Sequence, residues 1–401
     1  MSKIKYTEPI MIEYAILIII VIILSLLVFV KVKFRFWSLQ PVFHIYNLYY
    51  WLFPPGILQH KSPPVTDYYD YKIQCDTYKN LSTEKKELLY SLIKTNFLYK
   101  RDVKYTPTKS DIFEYFHCHN EPSFISLCYE YFCEYRKSEN RFTYSKKLVS
   151  CMTSRTLECT LGDKTIKSSY VDFLCVKKSH RKKGYAPKII YTHYKKSRDA
   201  GAPIVYLFKR EGNINFMVPV TIYYAYTFST KIWNRVNTQL PNNITCRLIS
   251  STNVERLFHY LEEIRSHFKC FILPALSNIK NQIEHNLLFP IMLFDKETPV
   301  ACYFFKNPQT SYDKRKSMEC LASYVSPGYK EIFTESFSNA ITLVNNKQPF
   351  SLFIIENISN NNYLIKEILK KDTILWKVPM AYYFYNFIYH PFTSTNVFLL
   401  N

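Results

Sequence analysis

The sequence predicts a mixed α/β (α+β) protein in which two similar halves share one continuous mixed sheet flanked by helices, behind an N-terminal membrane-spanning helix. Three observations carry this prediction. An uninterrupted apolar run occupies residues 14–30, a strand, basic loop and helix occupy residues 170–200, and strands and helices alternate again beyond residue 250. Alternating strands and helices bury their apolar faces as layers of helices on a sheet. With 401 residues, 48% of them hydrophobic, the chain suits one large or two medium domains.

The apolar run Tyr14–Val30 is predicted to be a transmembrane anchor, preceded by a short extension at residues 1–13. It holds one serine and no charge, and as a helix it would be about 25 Å long. Lys31, Lys33 and Arg35 follow it, so the positive-inside rule predicts a single-pass membrane protein whose body faces the cytosol. A cleaved signal peptide is disfavoured because no small-residue cleavage site follows the run. A buried core helix is disfavoured because the run is apolar on every side.

The composition leaves two explanations of the basic charge open. A formal net charge of +20 suits attraction to membrane surfaces, CoA phosphates or nucleic acid, and it equally suits a solvated, lysine-rich surface. No helix-turn-helix, zinc-finger or RNA-recognition motif supports a nucleic-acid partner, and none is expected. The eleven cysteines form no CxxC pair, which indicates reduced thiols. The isolated run His117-Cys118-His119 is interpreted as structural, so no metal is expected.

The first half of the body, residues 34–235, is predicted from its local patterns. Phe34–Val42 should be an extended aromatic segment, and residues 43–80 an irregular arm. Pro187 suits the first turn of a helix and Gly201 its C-terminal cap. The predicted elements are helix Thr83–Leu98, strands Ser123–Glu134 and Lys146–Cys159 joined by the turn Arg136–Asn140, a hairpin turn at Leu161-Gly162-Asp163-Lys164, strand Tyr170–Val176, helix Ala186–Ala200 and strand Ile204–Phe208.

The second half, residues 236–401, is predicted to repeat the theme without the basic loop. Pro241-Asn242-Asn243 marks the boundary region. The predicted elements are helix Asn253–Phe268, strands near Phe289–Phe294 and Pro299–Phe305, strand Ser317–Ser326, helix Tyr329–Asn346, strand Phe350–Glu356, helix Tyr363–Leu369 and strand Met380–Tyr389.

The basic loop Arg181-Lys182-Lys183-Gly184-Tyr185-Ala186 fits the R-x-x-G-x-A pattern of the GNAT acyltransferase superfamily. The glycine permits a tight turn, so that successive N–H groups can converge on phosphate oxygens beside a helix N-terminus. The two lysines add positive charge without requiring a fixed geometry. A basic loop that merely precedes a helix would carry the same six residues, so the loop alone leaves both interpretations open.

Three collinear segments resemble the glycylpeptide N-myristoyltransferase family. Phe173-Leu174-Cys175-Val176, followed by the basic loop and Ala186-Pro187, is similar to that family's N-F-L-C-V strand, K/R-rich loop and Ala-Pro. Phe36-Trp37-Ser38-Leu39-Gln40-Pro41-Val42 is similar to its F-W-x-T-Q-P-V segment. Tyr382-Tyr383-Phe384-Tyr385-Asn386-Phe387 is similar to its Y-Y-L-Y-N-W strand. Their order and approximate spacing agree, so the resemblance spans residues 34–401.

The resemblance implies a GNAT-like fold in both halves, with the acyl-CoA site in residues 34–235 and the peptide side in residues 236–401. It implies transfer of a myristoyl group from the co-substrate myristoyl-CoA to the N-terminal glycine of a protein, by a monomer without cofactor. The backbone amides of Phe173 and Leu174 would form the oxyanion hole. The base would be the terminal carboxylate of Asn401, which the apolar tail before it could bury. The implied acyl-CoA-binding residues are Phe34, Phe36, Trp37, Phe173, Leu174, Cys175, Val176, Arg181, Lys182, Lys183, Gly184, Tyr185 and Ala186.

The peptide side departs from the family pattern. The family's acidic E-D-x-D-N-x-F-R-F loop corresponds to the basic residues 99–105, and its Y-T-A-G strand end to residues 206–209. Its R-Y-W-H-R segment and its Gly-rich F-G-x-G-D-G loop correspond to residues 222–226 and 369–374. Asp172 replaces the family's asparagine beside the implied oxyanion hole. An acidic peptide, a different amine, or a catalytically inactive membrane-tethered scaffold that binds acyl-CoA or acyl-peptide therefore remain open alternatives.

Overall fold

The computed structural model describes residues 7–100, 102–136, 141–212, 216–231, 233 and 239–401, and confirms the mixed α/β class. The helices are α1 Thr7–Lys33, α2 Arg35–Ser38, α3 Leu48–Leu52, α4 Thr83–Asn96, α5 Lys109–Phe113, α6 Tyr185–Asp199, α7 Glu255–Ile264, α8 Leu276–Glu284, α9 Lys330–Glu335, α10 Phe337–Lys347 and α11 Asn361–Ile368. The strands are β1 Gly56–Ile57, β2 Gln74–Thr77, β3 Tyr99–Lys100, β4 Val103–Tyr105, β5 Phe124–Arg136, β6 Arg141–Leu161, β7 Lys164–Val176, β8 Val205–Glu211, β9 Thr221–Ser229, β10 Ile244–Leu248, β11 Cys270–Pro274, β12 Leu288–Asp295, β13 Thr298–Lys306, β14 Thr310–Tyr312, β15 Arg315–Val325, β16 Leu352–Glu356, β17 Trp376–Tyr385, β18 Phe387–Ile388 and β19 Val397–Leu399.

Strands from both halves of the chain form one continuous mixed sheet. Strands β2, β5, β6 and β7 are antiparallel neighbours, and β7 then pairs in parallel with β8. The late strand β17 lies between β8 and β9 and is antiparallel to both. The sheet continues through β16, β15, β13, β12 and β10. The sheet therefore crosses the predicted division of the body at residues 235/236, and residues 234–238 lie outside the described part of the chain.

The second half of the sheet is covered on both faces, which explains its nearly uninterrupted apolar strands. Ile291 and Leu293 of β12 pack in one cluster with residues of α10 and α11. Their neighbours Met292 and Phe294 pack in another cluster with residues of α7 and α8. Successive side chains of a strand point to opposite faces, so a strand between two helical layers must be apolar at every position.

Most predicted elements are present within a few residues of their expected bounds. The helix after the basic loop spans Tyr185–Asp199, and Gly201, with φ of +93°, lies just beyond its C-terminal end. Only glycine adopts this left-handed conformation at low cost, as the cap prediction requires. The predicted turn Arg136–Asn140 falls largely on residues 137–140, which lie outside the described residues.

Four predictions of local structure were wrong. The arm predicted to be irregular at residues 43–80 contains α3, β1 and β2, and β2 pairs with β5. The segment Phe34–Val42 is not extended throughout, because Arg35–Ser38 forms the short helix α2. The single helix predicted over Tyr329–Asn346 is divided at Ser336, whose hydroxyl donates to the carbonyl of Ile332 at 2.6 Å. The strand predicted over Met380–Tyr389 is interrupted at Asn386, where φ is +64°. At Ser336 and Asn386 a side-chain hydrogen bond to the backbone accompanies the interruption of the periodic pattern.

Helix α1 is long and apolar enough to cross a membrane. The candidate span is Met11–Lys33, whose most apolar 18-residue window has a mean hydropathy of 3.3 and no buried residue. The helix begins at Thr7 and so includes part of the predicted extension. The support for a membrane span is the length and apolar composition of α1, because a spanning helix needs about 20 apolar residues.

A buried histidine makes the stability of the fold depend on pH. His193 of α6 lies fully buried between the hydroxyls of Ser126 and Ser154, each 2.9 Å from one of its ring nitrogens. Burial lowers its pKa from 6.5 to about 3. Between pH 6.5 and about 3, His193 is therefore protonated in the unfolded chain and neutral in the folded chain.

We expect the free energy of unfolding to fall as the pH is lowered from about 6.5 towards 3, by about 1.4 kcal/mol per pH unit from this group. Urea titrations in detergent at several pH values would measure the slope. The variant His193→Gln cannot titrate but can still bond both hydroxyls. It should lose the part of the pH slope that His193 contributes. An identical slope in the variant would contradict the assignment.

Candidate active site

The first feature of the site is a wedge where β7 and β8 diverge. The two strands pair in parallel at only three positions, Ser168–Tyr170 against Val205–Leu207. Beyond these three positions β7 remains paired with β6, and β8 remains paired with β17. The divergence leaves a cavity of ≈ 420 Å³, here called the wedge cavity. Its lining residues are Trp37, Phe97, Met152, Val171, Asp172, Leu174, Ala186, Ile190, Tyr194, Tyr206, Phe208, Lys209, Arg210 and Tyr385.

A β-bulge in β7 lies at the implied oxyanion hole. Asp172 and Phe173 together oppose the single residue Thr153 of β6. Such a bulge turns main-chain groups out of the ladder. The N–H of Phe173 donates to the Thr153 hydroxyl oxygen at 3.1 Å, and the Phe173 side chain is buried. Leu174 is 37% exposed and its side chain lines the wedge cavity. Thr153 was not among the predicted site residues, and its place opposite the bulge depends on strand register.

The basic loop between β7 and α6 forms a second cavity of ≈ 530 Å³, here called the loop cavity. Lys182 and Gly184 both have positive φ, +62° and +81°. Among the described residues, the N–H groups from Lys182 to Ala186 have no hydrogen-bond partner. Consecutive unpartnered N–H groups at a helix N-terminus form a concave anion site. The loop cavity is lined by Asn96, Phe97, Leu174, Cys175, Val176, His180, Arg181, Lys182, Gly184, Tyr185, Ala186 and Pro187.

The Arg181 side chain helps to build this loop. Its guanidinium donates to the carbonyl oxygens of Val176, at 3.2 Å, and Asn96, at 2.5 Å. The Asn96 side chain in turn accepts the N–H of Lys178 at 3.0 Å. The side chains of Lys182 and Lys183 are exposed, so the loop supplies charge through them.

A carboxylate also holds the loop from the side of β5. Glu130 accepts hydrogen bonds from His180, at 2.7 Å, and from the hydroxyl of Tyr185, at 3.1 Å. The bond from His180 is the main reason that the pKa of Glu130 lies below its usual range. Neither Glu130 nor Asn96 was predicted. They lie 50 and 85 positions before their partners in the loop, and no local pattern in the sequence links them to the loop.

The wedge cavity and the loop cavity share Phe97, Leu174 and Ala186. An anionic group on the loop and an apolar chain in the wedge could therefore belong to one elongated ligand. The wedge cavity is lined largely by aliphatic and aromatic side chains, as suits an acyl chain.

The three aromatic residues Phe34, Phe36 and Trp37, which the family resemblance implies to bind acyl-CoA, have different surroundings. Trp37 lines the wedge cavity and stacks on Phe208, with ring centroids 5.7 Å apart. Phe34 contacts Phe216, at 4.3 Å, beside the end of α1. Phe36 is buried edge-on against Trp37 and Tyr68.

The two resembling segments at opposite ends of the chain are in direct contact. The hydroxyl of Tyr385 donates to the side-chain oxygen of Gln40 at 2.6 Å. The N–H of Asn386 donates to the carbonyl of Pro41 at 2.6 Å. Of the residues in this contact, Tyr385 lines the wedge cavity.

Asn401 lies in the interior. Strand β19 pairs in parallel with β11, and the N–H of Leu400 donates to Ile272, so the last residues are fixed. Asn401 is 5% exposed. Its main-chain oxygen accepts a hydrogen bond from Lys306 Nζ at 2.7 Å, and its side-chain amide donates to the hydroxyl of Tyr170.

Six charged side chains of the sheet surround this point; we call them the central charged cluster. Arg155 and Asp172 form a buried ion pair at 2.9 Å, and Lys209 pairs with Glu356. Lys306 and Glu319 are direct cross-strand neighbours on β13 and β15. Burial raises the pKa of Asp172 and its pairing with Arg155 opposes that rise. Burial, and then repulsion from Arg155, lowers the pKa of Lys306 to about 8.

Comparison with known proteins identifies this arrangement. Residues 78–224 match the family model of the acetyltransferase (GNAT) domain. Two crystal structures of N-myristoyltransferase from Saccharomyces cerevisiae with bound myristoyl-CoA superpose with TM-scores of 0.66 and 0.68. They cover 90% and 91% of this chain and 94% of theirs, at 14% sequence identity. The chain has the N-myristoyltransferase fold. A sequence comparison with curated proteins gives no significant match.

Within the N-myristoyltransferase fold, the departures from the family pattern gather around β4, β9 and β17. Tyr312 of β14, which pairs with β4, contacts Trp376 at the start of β17 with ring centroids 5.3 Å apart. Lys377 lies over the ring of Tyr224 of β9, 5.2 Å from its centroid. Lys104 and Lys377 are exposed there, whereas Arg101 and the side chains of residues 99 and 100 lie outside the description.

The replacement of the family's asparagine by Asp172 is balanced by Arg155. This ion pair neutralises the charge that would otherwise lie one residue from the implied oxyanion hole. In the described part of the chain, no group of three or more His, Cys, Asp or Glu side chains is placed to hold a metal ion. His119 instead bonds to the carbonyl of Tyr115, at 2.9 Å, and His117 to the hydroxyl of Tyr78.

Proposed function

We propose that this protein transfers a myristoyl group from myristoyl-CoA to the N-terminal glycine amine of a protein. One observation carries the proposal. The loop cavity, lined by residues with unpartnered N–H groups, shares lining residues with the apolar wedge cavity, which Asp172 and Lys209 of the central charged cluster also line. Along its length a CoA thioester needs an anion site for its phosphates, then hydrogen-bond donors at the thioester carbonyl, then an apolar channel for its acyl chain. Leu174, next to the β7 bulge, lines both cavities. The GNAT domain and the N-myristoyltransferase fold support the same reading.

In this mechanism the CoA phosphates bind the N–H groups from Lys182 to Ala186, and the acyl chain lies in the wedge. The glycine nitrogen attacks the thioester carbonyl, forming the N–C bond. The oxyanion that results is stabilised by main-chain N–H groups at the β7 bulge. The C–S bond then breaks and CoA leaves as the thiolate. The carboxylate at Asn401 accepts the proton that the attacking nitrogen loses.

The N–H of Phe173 already donates a hydrogen bond in the structure. The mechanism therefore requires that this N–H exchange one acceptor for another. The Thr153 hydroxyl that accepts its N–H must give way to the thioester oxygen. A neutral hydroxyl is a weaker acceptor than an oxyanion, because a hydrogen bond to a charged group is about twice as strong. The exchange therefore favours the transition state over the ground state, which is what catalysis requires.

The acceptor is an acidic peptide in this proposal. Exposed Lys104 and Lys377 lie among the strands that replace the family's acidic and histidine-containing segments. Positive charge at the rim of a site attracts negatively charged partners and repels basic ones. The body is proposed to face the cytosol from a single-pass anchor at α1, since the basic residues cluster after the span.

A second candidate is a membrane-tethered scaffold that binds acyl-CoA or acyl-peptide without turnover. Two contacts favour it: Thr153 occupies the N–H of Phe173, and Lys306 occupies the main-chain oxygen of Asn401. Either contact, if permanent, would block a catalytic group.

The deciding experiment incubates the full chain in detergent with a panel of acyl-CoAs and with peptides that begin with glycine, half of them acidic and half basic. Mass spectrometry reads the products. Transfer of a fourteen-carbon chain to the α-amine of the acidic peptides supports the proposal. Binding of myristoyl-CoA without any product supports the scaffold. Absence of acyl-CoA binding would contradict both.

The pH profile of the reaction tests the pairing of Lys306 with the carboxylate. In the variant Lys306→Met we expect the acid limb of kcat/KM against pH to move upward, by about 1–3 pH units, because a nearby cation favours the ionised carboxylate. Below pH 8 the wild-type lysine is charged, since its pKa is about 8. Lys316→Met, an exposed lysine on β15, serves as the control. An acid limb that stays in place would argue against a carboxylate base beside Lys306.

A further inference from the structure

The segment that follows the anchor presents an apolar surface outside the site already described. Residues 45–53, which include helix α3, carry six large apolar or aromatic side chains with 38–73% of their surface exposed: Ile45, Leu48, Tyr49, Trp51, Leu52 and Phe53. No residue of α3 is buried. Large apolar side chains exposed together on a protein body mark an interaction site.

These side chains are held outward by bonds to the body. The N–H of Ile45 donates to the carbonyl of Phe216 at 3.0 Å, and the N–H of Val218 donates to that of Phe43 at 2.8 Å. The indole N–H of Trp51 donates to the carbonyl of Ile45 at 3.2 Å, and its ring contacts Phe43. Their exposure is therefore a property of the fold, since collapse onto the body would break these contacts.

The end of α1 lies beside the same residues. Phe216 contacts Phe34 at the end of the anchor and stacks near His44, the residue before the segment. Ile45 and Tyr46 line a groove of ≈ 390 Å³ together with residues of α1 from Ile23 to Lys33. That stretch of helix is about 15 Å long. The start of the segment, Ile45 and Tyr46, consequently lies beside the last turns of the candidate span.

We infer that residues 45–53 form a second membrane contact, inserted in the interfacial layer of the bilayer that α1 crosses. The inference rests on the proposed anchor and goes beyond it. Tyrosine and tryptophan are the residues that favour the membrane interface, and leucine and phenylalanine bury into the adjoining acyl chains. The bilayer is the occupant because the groove is continuous with the span.

The contact fixes the body against the membrane. Phe34 in the groove and Trp37 in the wedge cavity pack against the same apolar cluster. One anchor alone would leave the body free to rotate about the connection at Lys33 and Phe34. With two contacts the wedge cavity stays at the membrane surface, where acyl chains of substrate and product partition.

The test places the full chain in phosphatidylcholine nanodiscs whose lipids carry bromine at acyl carbons 6 and 7, and measures quenching of tryptophan fluorescence. The chain has four tryptophans. We expect quenching in the wild type, loss of its larger part in Trp51→Phe, and no such loss in the matched control Trp376→Phe. The double variant Trp51→Phe/Leu52→Trp should regain quenching, because it moves the indole to the adjacent exposed position.

Equal quenching in wild type and Trp51→Phe would overturn the inference. So would a self-associated protein in which residues 45–53 cover a second copy, seen as a dimer mass that Leu52→Glu reduces to a monomer. Neither readout needs catalysis, so the failure of this inference and the failure of the proposed acyl transfer are distinguishable. If α1 is not an anchor, the protein will not incorporate into the nanodiscs, which also refutes the second contact.

Discussion

Adding one alanine after Asn401 is expected to reduce turnover by about 10²–10⁴-fold and to leave the affinity for myristoyl-CoA unchanged. The physical reason is position. Asn401 is 5% exposed, and its main-chain oxygen is 2.7 Å from Lys306 Nζ. An added residue would carry the carboxylate about 3.8 Å away and leave a neutral amide in its place. The loop cavity and the wedge cavity have no lining residue in common with β19, so binding should persist.

The matched control is Asn401→Ala, which keeps a carboxylate at this position and removes only the side-chain bond to Tyr170. Its turnover should stay within a few-fold of the wild type. Steady-state kinetics gives the turnover, and calorimetric titration with a non-hydrolysable myristoyl-CoA analogue gives the affinity. Full activity in the extended chain would remove the terminal carboxylate from the mechanism.

Replacing Gly184 by proline is expected to abolish myristoyl-CoA binding. Gly184 has φ of +81°, which proline cannot adopt because its ring holds φ near −65°. The loop would have to rearrange, and one of the N–H groups that face the loop cavity would be lost. A substituted Cβ would meet no atom within 4 Å, so the effect comes from the backbone conformation alone.

Gly328→Pro is the matched control for this change. Gly328 has φ of +88°, it too has open space around it, and it lies before α9, distant in sequence from the basic loop. Both variants should lose comparable stability, by about 1–3 kcal/mol for a strained backbone. Only Gly184→Pro should lose acyl-CoA binding, measured by titration at a temperature where both are folded. Equal loss of binding in the two variants would mean that strain, and not the loop, is responsible.

The sequence predicted the elements whose signals are local. The apolar run after Tyr14 predicted α1, and a glycine with a proline three residues later predicted the start of α6. It was less successful where a side-chain bond interrupts a periodic pattern, locally at Ser336 and through distant partners at Asn386. The Asn386 side chain bonds to Gln59 and Ile204, which are 327 and 182 residues away. No window of neighbouring residues contains that information.

In the candidate site, too, local features could be predicted from the sequence and contacts between distant residues could not. The basic loop, with its glycine at positive φ, lies within one stretch of chain, and its proposed role as an anion site was read from that stretch together with the family resemblance. The partners that shape it, Asn96 and Glu130, come from α4 and β5. The pairing of Asp172 with Arg155 depends on the alignment of β6 with β7, which a shift of one residue would destroy.

By itself the sequence determined the apolar run, the basic loop with its glycine and the class of fold, because each follows from residue types at short spacing. Only the tertiary structure decided that Gln40 meets Tyr385, that Asn401 reaches Lys306, and that Thr153 occupies the N–H of Phe173. The physical reason is that these contacts are made across the sheet by side chains distant in sequence. Their distances are set by strand order and register, which are cooperative properties of the whole packed chain.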